Sequence, residues 1–290
     1  MKIIILIPVY NDWKSASKLL EEINYKASSI NCLFSIVIVN DASTEKQSIY
    51  IPNIENLQTI KIINMKKNRG HARCIATGLK YIYENEEFDY VIPMDGDGED
   101  RPEEIKNFFE FINYNPKKVI VGERIKRSEI FFFKFCYSCH KLLTFVFTGH
   151  SIKFGNYTCL PKLTVEKMIN DKATWSSFAG SLAKLEKDRS STPSIRGIRY
   201  FGPSKMSFKN LIIHSLSIIS VFKINVLLRS ILFLAIYMFL IHENITAITL
   251  IPVALIILLL VSVFSISSRE NLNELNNSLI DISNIDNIKK

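Results

Sequence analysis

Residues 90–101 read YVIPMDGDGEDR. The apolar run from Tyr90 to Met94 ends abruptly in Asp95, Asp97, Glu99 and Asp100, with Gly96 and Gly98 between them. A short apolar run that opens into alternating carboxylates reads as a buried strand whose carboxyl end faces a site. On an extended tip Asp95 and Asp97 project to the same side, and the two glycines let the backbone turn tightly. Carboxylates that converge in this way repel one another unless a cation sits between them. Hard oxygen ligands suit Mg²⁺ or Mn²⁺, held by one or two carboxylates with the rest of the shell left to phosphate oxygens. The alternative is a solvated acidic turn, and the rest of the chain decides between the two.

Upstream, Lys2 to Val9 is a β-branched run too short to span a membrane and fit for a central parallel strand. One lysine, then an apolar run stopped by Pro8 and Asn11-Asp12, is also too short for a signal peptide. Residues 14–30 have helical periodicity, with Leu19, Leu20 and Ile23 on one face. Phe34 to Val39 and Ile60 to Met65 are further strands, and Gly70 precedes a helix carrying Ile75 and Leu79. After the acidic tip, Pro102-Glu103-Glu104 opens a helix to Asn113, and Val119 to Val121 is a fifth strand. Strands alternating with helices predict an α/β domain with a mostly parallel central sheet. Asn11-Asp12, Asp41 and Asp95 all lie just past strand ends, the edge at which such sheets bind ligands.

The formal charge of +8 admits nucleic acid or anionic lipid as a partner. The basic residues cluster beside apolar stripes rather than on a polar face with stacking aromatics, which argues against nucleic acid. Cys32, Cys74, Cys136, Cys139 and Cys159 form an odd, scattered set that fits reduced thiols in the cytosol. From residue 211 to 267 the chain is dominated by Ile, Leu, Val and Phe. Ile245 to Phe264 is free of charge over about 30 Å of helix. Ile224 to Ile241 reaches spanning length if Arg229 snorkels back to the headgroups. The connector 242–244 has no Lys or Arg, whereas Lys205, Lys209, Lys223, Arg229 and Arg269 flank the pair. The positive-inside bias therefore predicts a multi-pass protein of the cell membrane with two spans and both termini in the cytoplasm.

IPVYND (7–12), VNDAST (39–44), NRG (68–70) with Gly78, and MDGDGEDRP (94–102) resemble, in order and spacing, the nucleotide-sugar motifs of family 2 glycosyltransferases of the GT-A type. RYFGPSKMS (199–207) resembles the R-x-x-G-x-S-K-Y element of the polyprenyl-phosphate enzymes in that family, with Met206 for Tyr. The resemblance implies a GT-A domain over 1–205, with an interfacial helix at about 128–149. A juxtamembrane amphipathic helix at 206–223, transmembrane helices at about 224–241 and 245–264, and a cytoplasmic tail over 268–290, loose or helical, complete the expected layout.

It further implies that Pro8, Tyr10, Asp12, Asp41, Gly70 and Asp95 line the nucleotide-sugar pocket, Asp41 on the base. Asp95 and Asp97 would hold Mg²⁺ or Mn²⁺, and Asp97, Asp100 and Arg124 would form the catalytic set. Arg124, Arg127, Arg199 and Lys205 would meet the acceptor phosphate. Asp12 stands where Glu is usual, and Glu99-Asp100 where Gln-Asp is common. The implied reaction is inverting transfer of a sugar from a nucleotide diphosphate sugar to a polyprenyl phosphate such as undecaprenyl or dolichyl phosphate. A glycan or lipid hydroxyl as acceptor, and a non-catalytic nucleotide-sugar-binding membrane subunit, are the rival readings. The oligomeric state is open, a homo-oligomer included.

Overall fold

The computed structural model describes residues 1–49, 54–126, 131–203 and 207–289, with only the backbone given at 126, 131–137, 139 and 140. Arg127 and Lys205, both expected at the acceptor phosphate, lie outside the described residues. Strand β1 (Lys2–Val9) is the hub, pairing in parallel with β2 (Leu33–Asn40) and with β4 (Tyr90–Pro93). β2 in turn pairs in parallel with β3 (Leu57–Met65). A strand covered on both faces can be apolar at every position, which is why the β1 run does not alternate. Ile3, Ile5 and Ile7 pack in one core layer with Trp13, Leu19, Leu20 and Ile23 of α1 (Trp13–Ala27). Ile4 and Leu6 pack in the opposite layer with Ile75, Leu79 and Ile82 of α2 (His71–Asn85). Gly78 lets α2 lie this close: a Cβ there would stand 2.4 Å from Leu6 Cδ1.

Among the described residues the sheet has eight strands in the order β7-β5-β6-β4-β1-β2-β3-β8. α3 (Ile105–Tyr114) follows the acidic loop, and β5 (Val119–Lys126) lies between β6 (Phe154–Pro161) and β7 (Arg189–Ile195). β6 runs antiparallel to both β4 and β5, so the sheet is parallel in its centre and mixed toward one edge. α5 (Lys162–Ile169) and α6 (Phe178–Leu185) cover that half, contributing Val165, Met168, Phe178 and Leu182 to the core.

α4 (Phe131–Thr148), α7 (Phe208–Ser220), α8 (Lys223–Ile241) and α9 (Ile251–Ser267) pack together through Phe147, Ile219, Val226, Ile256 and Val263. Most of the apolar surface of α8 and α9 faces outward, including Leu228, Leu232, Phe239, Leu255, Leu258 and Val261. Both helices are long and apolar enough to cross a membrane, and their outward faces suggest that the protein associates with one. On α4, Leu142, Phe145 and Val146 are exposed as well.

Two expectations are corrected here. The second apolar helix begins at Ile251, not 245, because Thr246 and Thr249 close a turn on one another and Pro252 sits in the first turn of the helix. Arg229 lies within α8, and its guanidinium donates to Val146 O at 2.9 Å, serving a carbonyl at the end of α4. The segment after α9 is no loose tail. It forms α10 (Leu272–Asn276) and β8 (Ile282–Lys289), and β8 pairs antiparallel with β3, covering an edge that would otherwise be open.

Candidate active site

The loops at the carboxyl edge of the parallel strands are tied to one another by side chains. Asn11, in the left-handed region at φ 50°, sends its N–H to Ser43 Oγ at 2.9 Å, and its Oδ1 accepts from Thr44 N at 2.8 Å. This joins the turn after β1 to the turn after β2. Asp41 is buried, and its oxygens accept from Arg69 N at 2.6 Å and Gly70 N at 2.9 Å. Expected on the base, it is found organising the N-R-G turn with both oxygens. Gly70 has φ 89° with open space beside it, a backbone shape that a side chain would strain. Tyr10 is exposed at the rim, whereas Pro8 is buried in β1 and contributes its carbonyl, against which Gly96 sits.

The acidic loop folds back on itself. Asp100 Oδ2 accepts from Asp95 N at 3.0 Å, and Asp97 Oδ1 accepts from Glu99 N at 2.9 Å. Asp95 Oδ1 lies 3.4 Å from both His71 Nε2 and Asn156 Nδ2. Residues 196–200 are laid across the loop: Gly197 N donates to Glu99 O at 2.8 Å and Tyr200 N to Asp97 O at 2.9 Å. Side chains repeat the pattern. Arg196 pairs with Glu99, and Arg199 donates to Asp97 Oδ2 at 2.5 Å and to Asp12 Oδ2 at 2.6 Å. The Tyr200 ring covers Gly98, and its hydroxyl donates to Glu22 at 2.6 Å. On the other side Arg124 packs against Gly155, 3.9 Å from Asp100.

Asp12, Asp95, Asp97, Asp100, Arg124 and Arg199, separated by up to 187 residues, thus form one cluster. Arg199, expected at the acceptor phosphate, donates to two of these carboxylates, Asp97 and Asp12. Sequence reasoning missed His71, Asn156, Arg196, Tyr200 and Glu22. His71 follows one recognised motif and Tyr200 lies inside another, but Asn156 and Glu22 carry no local signal.

Burial, then the nearby Asp95, push the Asp97 carboxyl up to about 6. The same two causes push Asp100 up to about 8. For Asp95 burial acts against ionisation, but His71, Arg124, Arg196 and the Asn156 hydrogen bond outweigh it and hold the group below its usual range. Among the described residues no three His, Cys, Asp or Glu side chains converge to enclose an ion. A pair of hard carboxylates with mutual repulsion to relieve still fits Mg²⁺ or Mn²⁺, which take few protein ligands and leave room for phosphate oxygens.

Among solved structures the fold resembles mannosyl-3-phosphoglycerate synthase from Rubrobacter xylanophilus, with TM-score 0.55 and 11% identity over 76% of this chain and 72% of that one. Glucosyl-3-phosphoglycerate synthase from Mycobacterium tuberculosis, solved with Mn²⁺, UDP and glucosyl-3-phosphoglycerate, gives 0.53 and 11% over 77% and 79%. S. aureus TarS in complex with UDP-GlcNAc gives 0.51 and 16% over 79% and 70%. By sequence, undecaprenyl-phosphate 4-deoxy-4-formamido-L-arabinose transferase of Proteus mirabilis is 26% identical over 218 residues, and that of Klebsiella pneumoniae 24%. These alignments take in 73% of this chain, which spans 64% of the length of the curated relatives it matches. The profile of "Glycosyl transferase family 2" matches residues 4–170, which is more than half of the chain and takes in the strand-end turns and the acidic loop. The chain belongs to glycosyl transferase family 2.

Proposed function

We propose that the protein is an inverting glycosyltransferase that moves a sugar from a nucleotide diphosphate sugar to a polyprenyl phosphate in the membrane. The names of the undecaprenyl-phosphate relatives agree with this acceptor, and the UDP-bound neighbours with this class of donor. One observation carries the choice of acceptor: apart from Asp95, each carboxylate of the cluster is held by an arginine or a backbone N–H. Asp12 and Asp97 are held by Arg199, Glu99 by Arg196, and Asp100 is buried under the loop on the Asp95 N–H. A hydroxyl acceptor needs a free general base within reach of its proton. A phosphate is already anionic and needs cations that bring it to a second anion.

Asp95 and Asp97 would hold Mg²⁺ or Mn²⁺, which when bound neutralises the diphosphate leaving group. Arg199 orients Asp12 and Asp97, and Arg124, mostly buried beside Gly155 and 3.9 Å from Asp100, would meet the incoming phosphate. Because β8 and β1 share one sheet, the chain leaves and returns to the same side of the membrane if α8 and α9 both cross it. The absence of Lys and Arg from the connector 242–250 supports a cytoplasmic position for that side.

The test is a donor and acceptor screen on the full chain in detergent with Mn²⁺ or Mg²⁺. Labelled sugar should pass into the organic phase with undecaprenyl phosphate and not with a glycan or lipid hydroxyl. Transfer to a hydroxyl acceptor alone would overturn the reading.

A further inference from the structure

The turn 66–70 joins β3 to α2 and is held from two sides. Asp41 takes its N–H groups from one side, at Arg69 and Gly70. From the other comes the segment that follows α9. Lys66 N donates to Asp281 O and Lys66 Nζ to Ile280 O, each at 2.7 Å, and the Arg69 guanidinium pairs with the Asp281 carboxylate.

A second chain of contacts starts on β8. Asp286 accepts from Asn64 Nδ2 at 2.8 Å, and Asn64 Oδ1 accepts from Asn40 Nδ2 at 2.7 Å. Asn40 Oδ1 accepts from Ser43 N at 3.0 Å, and Ser43 Oγ accepts from Asn11 N at 2.9 Å. These bonds cross neighbouring strands β8, β3 and β2 and end in the turn after β1. Closing a sheet edge requires only the backbone ladder. Here ordered ionic and amide side chains, which cost entropy to hold, converge on the strand-end turns.

The other end of the segment is fixed to the helical hairpin. Glu270 is buried, 3.3 Å from Lys223 Nζ at the start of α8 and 3.9 Å from Lys172 Nζ. Glu274 accepts from the Trp175 indole at 2.9 Å, and Leu275 is buried with Trp175 and Ala76 of α2.

We propose that residues 270–289 are a positioning element for the nucleotide end of the donor site, setting the affinity for a nucleoside diphosphate through Asp281 and Asp286. The inference rests on the donor reading above. Both residues would act at one remove: Asp281 through Arg69 on the turn that Asp41 holds, and Asp286 through Asn64 and Asn40.

The experiment uses the full chain in lipid nanodiscs, with UDP, GDP, CDP and dTDP as probes. Asp281→Ala should weaken the best-bound diphosphate about tenfold and speed amide exchange at Arg69 and Gly70 by a similar factor, a coupling of ordinary size. Exchange along the middle of β3 should stay as in the unsubstituted chain. Arg69→Ala combined with Asp281→Ala should be no weaker than either alone, since the two report one contact. Lys289→Ala removes bonds to Ile54 O and Leu57 O at the far end of β8 and should change neither readout. Unaltered affinity and exchange in Asp281→Ala would overturn the inference, and so would an equal effect of Lys289→Ala, which would mean general loosening. If the unsubstituted chain takes up none of the diphosphates, the donor reading falls and this inference with it; normal uptake with an indifferent Asp281 overturns this inference alone.

Discussion

Arg199 donates to Asp97 at 2.5 Å across 102 residues of sequence. The cation thus occupies a lone pair of a carboxylate that a divalent ion would need. Two consequences oppose each other. Arg199→Ala should let the donor-free protein bind Mn²⁺ about tenfold more tightly, a difference of about 1.4 kcal/mol. It should also lower sugar transfer by about 10²-fold, because Asp12 and Asp97 lose the guanidinium that orients them. Mn²⁺ titration followed by electron paramagnetic resonance, beside the organic-phase transfer assay, reads both. An unchanged Mn²⁺ affinity would mean that Arg199 and the ion do not share Asp97.

Ion binding should also be linked to protons. Asp97, pushed up to about 6 by burial and by Asp95, keeps its proton to a higher pH than a free carboxyl does. A divalent cation takes the ionised form, so its affinity should climb as pH rises through about 6 and level off above it. Calorimetry at pH 6 in two buffers of different ionisation heat should show proton release, absent in Asp97→Asn. The same raised groups set a stability slope. A carboxyl whose pKa is raised by folding stabilises fully below its unfolded value near about 4, and that contribution is lost as pH rises through the folded value. Melting of the metal-free protein should therefore decline from pH 4 to 8, and Asp100→Asn should remove the upper part of the decline, since Asp100 stands at about 8. A flat profile in the unsubstituted chain would contradict this.

The central sheet was legible because β1, β2 and β4 are apolar runs, interrupted inside only by Ser35 of β2, that stop at polar residues, a signal that needs no tertiary information. β7 was not, since RSSTPSI is polar and becomes a strand only by pairing with β5. β8 was hidden likewise: ISNIDNIK looks like a solvated tail, and its partner β3 lies more than 200 residues upstream. The acidic loop announced itself, but its grip did not: Arg199 stood out by its motif without its carboxylate partners, and Arg196 not at all, because both reach the loop from the turn after β7. Asp41 shows the limit of a motif, which fixed its place at a strand end but not its partners, the N–H groups of Arg69 and Gly70.

Gly98 is the tightest point of that grip. It sits at φ 87°, and a Cβ on it would stand 2.3 Å from Tyr200 Cε2. Gly98→Ala must both strain the backbone and push the ring away, costing about 1–3 kcal/mol. The displaced ring should take residues 196–200 with it, so transfer should fall along with the melting temperature. Tyr200→Phe keeps the ring and loses the bond to Glu22, which calls for about 1 kcal/mol and near-normal transfer. Thermal melts and transfer rates of the two variants check the pair. Equal losses of transfer would mean that the hydroxyl, not the ring over Gly98, holds the loop.

The two-span reading fixes where chosen surface positions must lie. Asn244, between α8 and α9, and Asn273, on α10, are both exposed. If both helices cross, a bilayer separates these positions, because α10 leads into a strand of the same sheet as β1. A membrane-impermeant maleimide applied to intact cells should label Asn244→Cys above the level of the unsubstituted chain. It should label Asn273→Cys only after permeabilisation. The helices are about 28 and 25 Å long at 19 and 17 residues, enough to cross with the polar connector held at the surface. Labelling of both positions from one side would show that the pair lies against the bilayer without crossing it. The exposed apolar faces of α8 and α9 would then be a surface anchor, and the acceptor would have to rise out of the membrane to reach Arg124.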